Sequence, residues 1–258
     1  MKRTVKSPVD PPSLSSPPAL APLLAPLLAF GAHPDDIEFG CGGVIIKETL
    51  GGRAAHVVVC SRGEAASHGT PARRVREARR GAEIMGGALQ WVDLGGDAHF
   101  EVNVANTIKI ARVIRRVRPG IVLCPSLVEN QHPDHAALGR MVRDGARLAR
   151  YGGLAELRGI KPHVIQQLFH FATTPQAEPV DVTAVLVDVS DEEIMERWTA
   201  AMGAHATQVS ARGYVEMQLT RARLRGLSAG VGYAIALFPS DAIVVDSLSQ
   251  VSRGARGF

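Results

Sequence analysis

Residues 27–43 read LLAFGAHPDDIEFGCGG. The segment opens on an apolar run, Leu27 to Phe30, and Gly31 ends it. Consecutive apolar residues closed by a glycine suit a short strand covered on both faces. His33, Asp35 and Asp36 follow at once, then Gly40, Gly42 and Gly43, and a helix is expected over Val44 to Leu50. Strand, polar loop and helix in that order form the unit from which parallel α/β sheets are built.

The same unit recurs along the chain. Ala54 to Cys60 is a second strand, with Val57, Val58 and Val59 at its centre. Residues 72–86 read as a helix carrying Val75, Ala78, Ala82 and Met85 on one side, and Trp91 to Leu94 as a short strand. Val104 to Val117 places Val104, Ile108, Ala111 and Ile114 on one stripe and is read as an amphipathic helix. Pro119-Gly120 stops it before an apolar strand, Ile121 to Cys124. Residues 136–151 are helical, and Val164 to Phe171 and Ala184 to Val189 read as strands. Ser190, with Glu193 three residues on, has the form of a helix N-cap for a helix running to about Ala206. The fold class is therefore α/β, a Rossmann-like, mostly parallel sheet with helices on both faces. Its ligand site belongs outside the carboxyl ends of the strands.

Composition narrows the function. The 258 residues are 46% hydrophobic and 21% charged, which suits a globular chain with a sizeable core. The formal net charge is +4, and half of it comes from Lys2, Arg3 and Lys6 against Asp10 in the first 27 residues. So small a balance does not by itself imply nucleic-acid binding, and no nucleic-acid-binding module is recognisable. Three widely spaced cysteines, Cys41, Cys60 and Cys124, suit a reducing, cytoplasmic setting. No apolar run is long enough for a membrane span. Seven of the sixteen prolines fall in residues 1–26, which read as a disordered extension. Residues 27–245 read as one catalytic domain and 246–258 as a tail. The run PALAPLLAPLLA, residues 18–29, lies beyond four prolines from the basic start and is not read as a signal peptide.

The chemistry concentrates after two strands. The first segment is Ala32-His33-Pro34-Asp35-Asp36; the second is Gln131-His132-Pro133-Asp134-His135, seven residues past Cys124. His33, Asp36 and His135 can present two ring nitrogens and one carboxylate to a single cation. With positions left open for water, that donor set suits catalytic zinc, or iron(II), better than magnesium or calcium. Asp35 is then free to take a proton from water as general base. His132 can stabilise an oxyanion, and Asp134 can orient it. Base, cation and oxyanion partner together describe hydrolysis of an amide or ester. The glycines do not keep the G-x-G-x-x-G spacing of a dinucleotide loop. They are read as letting the chain pass close to the metal loop before the helix.

AHPDD followed by IEFGCGG, with a later HPDH, resembles the zinc-dependent N-deacetylases of the GlcNAc-phosphatidylinositol de-N-acetylase type, also called LmbE-like. Ser61-Arg62-Gly63-Glu64, Arg74-Val75-Arg76-Glu77, Val187 to Asp191 and His205 to Gln208 resemble further family patterns, so the likeness runs from about residue 27 to 238. It implies His33, Asp36 and His135 as metal ligands, Asp35 as base, His132 as oxyanion stabiliser and Asp134 as its partner. Glu64 and Arg74 are implied as substrate contacts. The implied substrate is a small N-acetylated sugar conjugate, with acetate and an amine as products. The polar loop and the R-x-x-E helix start also resemble bacillithiol-pathway deacetylases, which act on N-acetylglucosaminyl-malate. Amidase action on a thiol conjugate, chitobiose or antibiotic-tailoring deacetylation, a non-catalytic sugar- or metal-binding role and a homo-oligomer stay open. One departure stands out: Ile235 occupies a place where the family often has Glu near the substrate pocket.

Overall fold

The structure, a computed structural model, describes residues 24–129, 132–210, 213–251 and 253–255. Most of the proline-rich extension and Gln131 of the second motif lie outside the described residues. The chain alternates β1 (Leu27–Gly31), α1 (Asp36–Leu50), β2 (Ala55–Val59), α2 (Pro71–Met85), β3 (Gly87–Trp91), α3 (Val104–Val117), β4 (Ile121–Pro125) and α4 (Pro133–Leu148). It continues through β5 (Gln167–Phe171), β6 (Val185–Asp188), α5 (Glu192–Gly203), α6 (Ala206–Val209), α7 (Tyr214–Ala229) and β7 (Ala234–Pro239). The sheet order is β3-β2-β1-β4-β5-β7-β6. The first five strands run parallel, and β7 pairs antiparallel with both β5 and β6.

Every residue of β1 is buried, because the strand has neighbours on both edges and helices on both faces. Its side chains alternate between two cores. Leu27 and Ala29 join α1, α5 and α7, whereas Leu28 and Phe30 join α3 and α4. Burying side chains of this size contributes roughly 1.5–3 kcal/mol each. The chain leaves β1 toward β2 on one side and later returns to lay β4 on the other side. That reversal opens a crevice at the carboxyl ends of β1 and β4, the usual ligand position in such sheets.

Both chemical motifs sit in that crevice, and both lie closer to helices than expected. α1 begins at Asp36, not Val44, so Gly40, Gly42 and Gly43 lie inside the helix. Each glycine weakens a helix by about 0.5–1 kcal/mol relative to alanine. Close packing is the reason for them: a Cβ on Gly43 would stand 2.9 Å from Ile235 Cδ1, and one on Gly42 would stand 3.0 Å from Trp198 Cδ1. A Cβ on Gly40 would overlap the Phe171 ring. α4 likewise begins within the second motif, at Pro133. Asp36 and Asp134 thus occupy first helical turns, where the helix dipole favours a carboxylate.

Three further expectations shift. β3 lies at Gly87–Trp91, ahead of the expected Trp91 to Leu94, and its partner β2 sets that register by pairing Ala55 with Gly87. The N-cap of α5 is Asp191, whose carboxylate accepts from the backbone N–H of Glu193 and Ile194. Ser190 Oγ instead donates to Asp188 Oδ1 and accepts from Tyr233 N–H, tying β6 to the start of β7. The helix expected to reach Ala206 ends at Gly203, and α7 and β7 follow beyond the elements expected from the sequence.

Candidate active site

The turn after β1 is unusual at one residue. Asp35 has φ 121°, in the region that L side chains avoid. Such a conformation costs on the order of 1–3 kcal/mol and concentrates at functional sites. Asp36 holds the turn: its Oδ2 accepts from the backbone N–H of Ala32 (2.8 Å) and His33 (2.9 Å). Its Oδ1 stays turned toward His135 Nε2, 3.0 Å away.

His33, Asp36 and His135 meet as a compact triangle. His33 Nδ1 lies 3.3 Å from His135 Nε2 and 3.6 Å from Asp36 Oδ2. Ligands about 2.0–2.1 Å from a tetrahedral zinc stand roughly 3.3–3.4 Å apart, so the spacing fits one such cation. Two imidazoles and a carboxylate also match the donor set expected of zinc or iron(II). His33 and Asp36 are buried, and His135 nearly so. Burial alone would lower the His33 imidazole, but Asp36, Asp134 and Asp97 outweigh it and raise it well above its usual value. Burial alone would raise Asp36, but His135 and His33 pull it well below the ordinary carboxylate range.

Asp35 is the opposite case. Burial raises its carboxyl, Arg74 opposes the rise, and neighbouring Asp36 adds to it, leaving it at about 6. The Asp35–Asp36 pair is thereby split into one strongly ionised carboxylate and one that titrates near neutrality. Such a split separates a ligand from an acid–base group. Arg74 is not a solvated helix arginine. It is buried, and its Nη2 donates to Pro34 O at 2.9 Å and to Asp35 Oδ2 at 3.4 Å. Gly63, at φ +72°, leaves the room for it, since a Cβ there would overlap the guanidinium.

The second motif adds His132 and Asp134. The His132 ring packs edge-on to His33 with centroids 4.2 Å apart. Asp134, expected beside His132, stands closer to His33: Oδ2 is 3.3 Å from His33 Nε2 and 4.0 Å from His132 Nδ1. Ala98 N–H also donates to it at 2.8 Å. The carboxylate nearest His132 is one the sequence did not single out. Asp97 Oδ1 lies 3.4 Å from His132 Nε2 and 3.1 Å from His33 Nε2. Burial would raise Asp97, but the two imidazoles hold it far below its usual range. Its only sequence signal is a carboxylate after Gly95-Gly96 in the loop beyond β3, at the same sheet edge.

His33, Asp35, Asp36, His135, His132 and Asp97 line a cleft of about 500 Å³, with Asp134 buried behind them. Arg74 reaches it; Thr173 beyond β5 and Tyr214 and Gln218 of α7 complete its wall. Glu64 does not line it. Its carboxylate accepts from Arg62 N–H at 3.0 Å and Asp97 N–H at 3.1 Å, so it ties two loops together. Ile235 is buried in the core over α1 and packs toward Gly43. Cys41, Cys60 and Cys124 are buried and free, and burial pushes each thiol up, which leaves them unreactive.

Comparison with known proteins identifies the family of the chain. The model of the GlcNAc-PI de-N-acetylase (PIG-L) family matches residues 28–146, which span both motifs. A diacetylchitobiose deacetylase of Thermococcus kodakarensis is 31% identical over 199 residues, 70% of this chain and 69% of that protein. The chain belongs to the PIG-L family. A conserved protein of Thermus thermophilus has the same fold, with a TM-score of 0.77 at 29% identity over 90% of this chain and all of that one. Another relative, a 4-oxalmesaconate hydratase of Pseudomonas putida, is 31% identical over 147 residues, 52% of this chain and 54% of that protein. This PIG-L protein therefore has both a deacetylase and a hydratase among its relatives. Among the described residues, no helix is long and apolar enough to cross a membrane.

Proposed function

We propose that this PIG-L protein is a metal-dependent hydrolase that removes the acetyl group from a small N-acetylated amino sugar or its conjugate. The observation that carries this reading is the triangle of His33, Asp36 and His135, with Asp35 left outside it at the cleft. His33 Nδ1, Asp36 and His135 Nε2 would hold zinc, with iron(II) as the alternative. A bound cation would polarise the acetamide carbonyl and bring the pKa of water toward neutrality.

The chain supplies the remaining steps. Asp35, raised by burial to about 6 in the metal-free chain, is placed at the cleft to take the proton of the attacking water. Its positive φ and the Arg74 contact set the direction of that carboxylate. His132 donates to the oxygen that gains charge as the carbonyl becomes tetrahedral. Asp35 then returns the proton to the departing amine. Asp134 and Asp97 orient the imidazoles. Arg74 is the cation nearest the reacting carboxylate and suits an anionic substituent, as malate in N-acetylglucosaminyl-malate would be. The catalytic unit spans residues 27–245, and the three free cysteines support a cytoplasmic setting.

The test is a mass-spectrometric screen of N-acetyl sugar conjugates, with added zinc and after chelation. Loss of one acetyl group with release of acetate is expected only with metal. Full turnover by a metal-free preparation refutes the proposal. Metal content with no turnover on any conjugate favours a binding role. The hydratase relative supports a second reading, activated water adding to a carbon–carbon double bond. Gain of one water by an unsaturated tricarboxylate, assayed by the same mass spectrometry, would select it.

A further inference from the structure

The two histidines of the triangle are held in opposite ways. His33 turns Nδ1 to the triangle and Nε2 to Asp134 and Asp97. His135 turns Nε2 to the triangle, and its Nδ1 lies 3.3 Å from Thr173 Oγ1. A neutral imidazole carries one proton. A ring that offers the Nε2 lone pair to a cation must carry that proton on Nδ1, and the hydrogen bond made there selects the tautomer. Carboxylates perform this task for His33. For His135 the side chain beside Nδ1 is a neutral hydroxyl from a distant part of the chain.

Thr173 is itself held firmly. It is buried just past the end of β5. Its carbonyl accepts from Gln218 Nε2 at 2.7 Å, and Gln218 is 3% exposed. Gln218 Oε1 accepts from Arg221 Nη1 at 2.6 Å. Arg221 Nη2 donates to Glu178 Oε1 at 2.8 Å, and Arg225 pairs with the other oxygen of Glu178. Two turns of α7 thus anchor the backbone that presents the hydroxyl. A side chain serving only to fill space would need neither the oxygen nor the anchored carbonyl.

We infer that Thr173 is a positioning residue: its hydroxyl accepts the Nδ1 proton of His135 and fixes the ring with Nε2 toward the cation, and Gln218 of α7 fixes Thr173. This rests on His33, Asp36 and His135 being the ligand set. Outer hydrogen bonds of this kind change metal affinity by about 10–100-fold when removed.

The experiment measures zinc affinity by chelator competition in wild type, Thr173→Val, Thr173→Ser and His135→Ala, alongside the melting temperature of each metal-free protein. Valine keeps the shape and removes the hydroxyl, so zinc should bind about 10–100-fold more weakly with little change in the metal-free melt. Serine should restore wild-type affinity. Nitrogen-15 spectra of zinc-loaded wild type should show His135 protonated at Nδ1. Wild-type affinity in Thr173→Val, or a proton on Nε2, overturns the inference; where the valine variant fails to fold, wild-type affinity in Thr173→Ala overturns it. Unchanged zinc binding in His135→Ala overturns the ligand set itself, a separate result.

Discussion

Asp35 gives the most exposed test of this site, because its ionisation opposes folding. In an unfolded chain the carboxyl titrates near its ordinary 3.8; in the fold, where burial outweighs Arg74, it titrates at about 6. The folded state therefore binds the proton more tightly. That contribution to stability is fully present below about pH 4 and is lost as pH rises through 6. A difference of about two units corresponds to roughly 3 kcal/mol at pH 8. Asp35→Asn removes the ionisation and keeps an oxygen for the Arg74 contact, and Asn also tolerates φ 121° comparatively well. Metal-free Asp35→Asn should be more stable than wild type by up to about 3 kcal/mol at pH 8 and by little at pH 4. For a chain of this size that is a rise of about 5–10 °C in melting temperature. Calorimetry from pH 4 to 8 with chelator present reads it directly. The same variant should lose about 10²–10⁴-fold in turnover while still binding zinc. A stability difference that does not vary with pH refutes the desolvated carboxylate, and normal turnover refutes Asp35 as base.

Other perturbations test neighbouring parts of the structure. Arg74→Gln removes the charge that holds Asp35 down, so the acid limb of the pH–rate profile should move to higher pH; an unmoved limb separates the two residues. Gly40→Ala should destabilise by about 1–2 kcal/mol despite better helix propensity, because its methyl meets Phe171. Adding Phe171→Leu should cost less than the sum of the single changes, and strict additivity in calorimetry would contradict the contact. Zinc at about 100 times its dissociation constant should stabilise wild type by about 2.7 kcal/mol and leave His33→Ala nearly unaffected in a thermal-shift assay.

The local features were legible in the order of residues. Val104–Val117 has the same bounds by pattern and in the fold, because the stripe of Ile108, Ala111 and Ile114 and the Pro-Gly stop are local facts; Val104, expected on that stripe, is exposed. The two His-Pro-Asp motifs were legible because their side chains carry unusual chemistry and each follows an apolar strand. α7 was hidden by its weak amphipathic pattern, with Leu224 and Leu227 exposed and Gln218 buried. The glycines of α1 misled because a glycine-rich stretch reads as a loop unless its packing partners are known.

Sequence alone determined the strand–helix alternation and singled out His33, Asp36 and His135 as candidate ligands, with Asp35 as a spare carboxylate. Each motif and element depends on side-chain type and on neighbours a few residues away; that His135 meets His33 and Asp36 was decided by the fold. Only the tertiary structure decided that Asp97 joins the imidazoles, that Asp134 faces His33 and that Glu64 closes a loop. It alone brought Thr173 and Gln218 to His135. These pairings join strand ends and helices far apart in the chain, and they form only when the sheet sets its order and both cores close around it.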